Sequence, residues 1–299
     1  MNTSVSRILF VSTASAFTFA VIGIVWGIYS SSQMILFDGL YSIISLVMSL
    51  MAILASQYIN KDDEKKFPFG KTAIQPMIVV MQAIVMGLLC VSALTSSVIA
   101  LLTGGREIAV GSALLYGFFS LVFCFAVQLF FSKNKHRSEF IRSEAAQWFM
   151  DTILSLAVVI GFLIALFLDN TPWAFIIDYI DPTMVLLAGL YFLSVPIKLI
   201  RKNGKELLMM TPDQDLFNNI RFEMAILERK YNIQDSWLRM AKMSDVLYLD
   251  IDIIVSNDST ISTIEDSDMF REEFQQQLDQ YDVVPWVTIA FTKERKWAE

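Results

Sequence analysis

Asp38 and Asp151 are the two ionisable residues that lie inside long apolar stretches and away from their ends. A charge in hydrocarbon costs about 3 kcal/mol even on insertion scales unless it faces a wet or paired interior, so both are expected to do chemistry. Each has an oxygen-bearing neighbour four positions away, on the same face of a helix: Ser42 follows Asp38 and Gln147 precedes Asp151. Two such helices, converging, would place four side-chain oxygens around one point. Two carboxylates neutralise a divalent ion, and waters complete its shell. An all-oxygen set suits hard ions such as Mn²⁺, Mg²⁺ or Fe²⁺ better than Zn²⁺, which favours thiolate and imidazole. The other reading of the neutral pair is open at this stage: Ser42 can bond its own backbone one turn back, and Gln147 can face water at the end of its helix.

The elements that position these residues follow from composition. Of 299 residues, 55% are hydrophobic and only 18% charged, well below the quarter usual for soluble domains. Apolar runs long enough to cross a hydrocarbon core of about 30 Å occur at roughly 8–29, 34–58, 75–103, 109–131, 145–168 and 182–200. A cleaved signal peptide is the competing reading of the first run, but its apolar stretch runs on to Tyr29, too long for a signal core. One set of loops and ends carries thirteen Lys and Arg residues, and the opposite set carries Arg106 alone. The positive-inside rule then places both termini in the cytoplasm and segments 30–33, 104–105 and 169–181 outside, in a cell (inner) membrane.

Charge also divides the chain. Residues 1–205 hold 14 basic and 11 acidic side chains, and residues 206–299 hold 9 and 19. The expectation is a six-span transmembrane domain over 1–205 and an acidic cytoplasmic domain over 206–299. In the second domain, helical periodicity over 213–231, capped by Thr211 or Asp213, is followed by alternation at 237–243 and 247–255, a polar helix at 262–281 and a strand at 286–291. This αββαβ order fits a small ferredoxin-like α+β unit. The net charge of −7 offers no nucleic-acid surface. No GxxxxGK[ST] loop occurs, which argues against an ATP-driven pump. Cys90 and Cys124 sit in apolar runs as packing residues. The sole histidine, His136, lies in a basic loop, where it and the Asp62-Asp63-Glu64 stretch are expected to be solvated. Neither aspartate has the GxGD-like setting of an intramembrane hydrolase, so no enzyme and no resident cofactor is expected.

Five fragments carry a resemblance: Phe37-Asp38-Gly39-Leu40-Tyr41-Ser42, Phe67-Pro68-Phe69-Gly70-Lys71, Glu144-Ala145-Ala146-Gln147-Trp148-Phe149-Met150-Asp151, Tyr179-Ile180-Asp181-Pro182, and Lys205-Glu206-Leu207-Leu208-Met209-Met210-Thr211-Pro212-Asp213. The chain resembles the cation diffusion facilitator family of metal/proton antiporters over nearly its whole length. That resemblance implies a homodimer that exports a divalent metal ion in exchange for protons, with a cytoplasmic metal-sensing domain. It also implies that the ligands fall at Asp38, Ser42, Gln147 and Asp151. The family's usual pattern there is Asp-xxx-Asp on the second span and His-xxx-Asp on the fifth, so two usual ligands are replaced by neutral oxygens. With no histidine in the spans, an exchanged proton has to sit on the Asp38/Asp151 pair, titrating as one unit. The runner-up is a transport-silent membrane scaffold or sensor that kept the fold and lost the site.

Overall fold

A stretch of apolar sequence that meets no water has to satisfy its backbone internally, and here it does so as long helices. In the computed structural model these are α1 (Thr3–Ser30), α2 (Gln33–Ile59), α3 (Ile74–Leu102), α4 (Val110–Asn134), α5 (Glu139–Leu168) and α6 (Ile177–Leu207). The structure describes all residues except 1–2, 60, 62–64, 135–138, 170, 282 and 299. His136 and the Asp62-Asp63-Glu64 stretch therefore lie outside the described residues. Among the described residues, five helical stretches are long and apolar enough to cross a membrane: Thr13–Ser30, Ile74–Leu102, Val110–Asn134, Gln147–Leu168 and Ala174–Leu207. α2 contributes the shorter apolar stretch Gln33–Ile44.

The helices overrun their apolar cores. α5 begins at Glu139 and α6 at Ile177, ahead of the expected 145 and 182, because helix formation does not stop where hydropathy falls. The breaks have local causes. Ser31, at φ 57°, turns the chain between α1 and α2, and Gly104 and Gly105 have φ of 105° and 93° after α3. At Gly105 a Cβ would stand 2.6 to 2.7 Å from Asp178, so only glycine lets Arg106 N–H reach the Asp178 carbonyl, at 2.7 Å.

The chain divides into two compact units, residues 1–53 with 82–198 and residues 54–81 with 199–299. The first is cored by Phe19, Phe37, Tyr116, Phe131, Trp148 and Phe162. α1 and α2 approach closely through Gly23 and Gly27, a GxxxG pair facing Gly39 and Leu36.

The second unit holds a three-stranded sheet with helices. α7 (Gln214–Lys230), β1 (Ile233–Met243), β2 (Val246–Val255), α8 (Ile264–Leu278) and β3 (Val284–Thr292) follow the expected αββαβ order. The strands lie in the order β1-β2-β3, β1 antiparallel to β2 and β2 parallel to β3, with Ile251 paired to Leu238 and Ile289. Leu247, Leu249, Ile251 and Ile253 point alternately into the core, which is why the run reads as a strand. Asp213 occupies the N-cap position of α7, but its side chain makes no capping bond. Thr263 does cap α8, in a capping box with Asp266. Also in this unit, the Lys71 ammonium donates to the carbonyls of Tyr58 (3.2 Å) and Lys61 (2.7 Å) at the C-terminal end of α2, the end where a helix favours a cation.

Candidate metal site

α2 carries Asp38 as its sixth residue, half-buried beside α4. Its carboxylate Oδ2 accepts a hydrogen bond from the Tyr116 hydroxyl at 3.3 Å. Tyr116 is buried, its ring packed near Phe19 and Trp26 at centroid distances of 6.3 and 6.1 Å, so the donor is held from behind. Further along α4, Ser120 and Cys124 follow Tyr116 at four-residue spacing and lie on the same face. The Ser120 hydroxyl is 2.6 Å from that of Ser155 on α5, and Ser155 also reaches Cys124 Sγ at 3.8 Å.

Asp151 stands one turn before Ser155 on α5 and is half-buried. Asp38, through Tyr116, and Ser155, one turn after Asp151, thus meet one polar face of α4. The neutral pair is placed differently. Ser42 donates its hydroxyl to the Asp38 backbone carbonyl at 2.9 Å, the one-turn back-bond weighed above, which leaves the oxygen lone pairs for a cation. Gln147 is exposed. Among the described residues no three His, Cys, Asp or Glu side chains gather as a metal cluster, so a bound ion would draw on neutral oxygens or water.

Sequence reasoning singled out the acids and missed Tyr116. A tyrosine in a Phe-rich span looks like packing, and only its four-residue spacing with Ser120 and Cys124 marks a polar face.

Among the described residues, five helical stretches fit to span a membrane mark a multi-pass membrane protein. Residues 9–208 match the cation efflux transmembrane domain, and the chain belongs to this family, that of the cation diffusion facilitators. The match supports divalent metal cation transport in general, a family role in which the metal is substrate rather than cofactor. A comparison with curated proteins finds no match.

Proposed function

We propose that the protein exports a divalent metal ion from the cytoplasm in exchange for protons, with Asp38 and Asp151 as ligands and proton carriers and Ser42 and Gln147 as neutral ligands. The bond of Asp38 to Tyr116, with Ser155, one turn from Asp151, on Ser120 of the same α4 face, carries this reading. The oxygen-only set favours Mn²⁺, Mg²⁺ or Fe²⁺ over Zn²⁺. An arriving dication displaces the proton the acid pair holds, and rocking of the bundle exposes the site to the other side. In this reading α2 is the second of six crossings, both termini lie in the cytoplasm, residues 1–205 form the transport domain, and residues 206–299 form a ferredoxin-like regulatory and dimerising unit of a homodimer.

The test is uptake of Mn²⁺, Mg²⁺, Fe²⁺, Co²⁺ and Zn²⁺ into proteoliposomes by wild type, Asp38→Ala and Asp151→Ala. Uptake by wild type that either substitution abolishes is the expected result, with Mn²⁺, Mg²⁺ or Fe²⁺ ahead of Zn²⁺. Uptake that ignores a pH gradient between about 6 and 8 removes proton exchange from the scheme, since an acid pair that exchanges protons has to feel it. The scaffold reading has one observation in its favour, the lack of a three-residue acidic, thiol or imidazole cluster among the described residues. No uptake of any ion would establish it instead.

A further inference from the structure

Arg106 is the one basic residue in the loops that lack the other thirteen, and the metal site makes no use of it. It follows the glycine turn between α3 and α4. Its guanidinium lies 3.8 Å from the Asp181 carboxylate, donates to Gln33 Oε1, and donates to Ser96 Oγ at 3.1 Å. Asp181, expected in an outer loop, is instead fully buried near the start of α6. Its Oδ1 accepts from the Ser32 hydroxyl and from Met34 N–H at 3.2 Å, and its Oδ2 from Gln33 N–H at 3.0 Å. The first turn of α2 has no acidic residue of its own. Its free N–H groups and the positive end of its dipole are met by a carboxylate from a helix almost 150 residues away. Beside it, the Ser97 hydroxyl donates to the Pro182 carbonyl, tying α3 to α6.

Stability alone does not explain this arrangement. A buried ion pair is often no better for stability than apolar residues of the same volume, whereas it does fix one register. The register fixed here belongs to Asp38, which lies one turn beyond Met34 on the same helix. We infer that Asp181 and Arg106 are positioning residues of the transport site: the carboxylate, held by the guanidinium, locks the first turn of α2 and sets the depth and rotation at which Asp38 meets the ion. This rests on the reading of Asp38 as a ligand.

Both oxygens of Asp181 are in use, so asparagine, with one acceptor oxygen, cannot replace it. The full chain in proteoliposomes is assayed for Mn²⁺ uptake, and amide hydrogen exchange is followed over residues 33–41. Asp181→Asn is expected to raise KM about tenfold, the range seen when partners of metal ligands are lost, with the maximal rate within about twofold. Exchange over 33–41 speeds up while α4 and α5 keep wild-type rates. Arg106→Lys, which keeps the charge and loses the fork, falls between wild type and Asp181→Asn. If Asp181→Asn does not fold, Asp181→Asn with Arg106→Gln removes the orphaned guanidinium, and its KM is expected to be raised in the same way. A wild-type KM in the folded variant, with or without faster exchange, overturns the positioning role. If Asp38→Ala itself transports normally while Asp181→Asn still loosens residues 33–41, the ligand reading fails and the anchoring of α2 stands.

Discussion

Gly39→Ala tests whether the seam between α1 and α2 sets the site. A Cβ on Gly39 would lie 2.7 Å from Ile24 N and 2.9 Å from Gly23 C, where ordinary contact begins near 3.4 Å. Both are backbone atoms, so no side chain can swing aside, and the two helices have to part by about 0.7 Å. Overpacking of this kind costs about 1 to 3 kcal/mol, while alanine returns about 1 kcal/mol of helix propensity over glycine. Global stability therefore changes little. The site changes more. The Tyr116 hydroxyl sits at the same seam, 2.9 Å from where a Gly23 Cβ would be, and its bond to Asp38 is already long at 3.3 Å. A further 0.7 Å carries that pair past hydrogen-bond range. A bond to a charged group is worth about 1.5 kcal/mol, so KM for the transported ion is expected to rise about tenfold. Tyr116→Phe removes the same bond and keeps the ring, so the double variant is expected to be no worse than either single one. Proteoliposome uptake kinetics together with thermal melting give both numbers. A wild-type KM for Gly39→Ala, or full additivity with Tyr116→Phe, refutes the link between seam and site.

The oxygen-only argument is checked by Gln147→His, which restores an imidazole one turn from Asp151 and is expected to shift the Zn²⁺/Mn²⁺ uptake ratio toward Zn²⁺ by about tenfold; an unchanged ratio removes Gln147 from the ligand set. In the second unit, Asp266 accepts from the N–H groups of Ser262 and Thr263, both at 2.9 Å, and these bonds push its carboxyl down to about 2 from the ordinary 3.8. Because the folded value is the lower one, this stabilisation is present above about pH 4 and lost as pH falls through 2. Hydrogen exchange over residues 262–278, compared at each pH between wild type and Asp266→Asn, is expected to diverge above pH 4 and to converge near pH 2.

Much of the architecture was readable because each signal is a property of the residues that form the element. Continuous apolar length marks α3 and α4 to within a few residues, and strict alternation marks β2. β1 starts at Ile233, ahead of the expected 237, because Gln234, Asp235 and Ser236 carry no apolar alternation, and pairing with the end of β2 extends the strand through them. Asp181 shows the opposite limit. A carboxylate next to a proline reads as a loop, and nothing near it in the chain tells that three donors at residues 32–34 would bury it.

The same logic sorts the residues of the site. Asp38 and Asp151 stand out because an acid in hydrocarbon is costly whatever surrounds it, so residue type and medium suffice to flag them. Tyr116, Ser120 and Ser155 carry no such penalty, since hydroxyls in membrane helices commonly bond a backbone carbonyl, and only the approach of α4 to α2 and α5 shows what they touch. Gly39 is less visible still, since its contribution is the space it leaves for Ile24 and Gly23. A lone acid announces a site. The residues that decide what the acid can hold are chemically ordinary, and they become informative only when the helices that bring them together are in place.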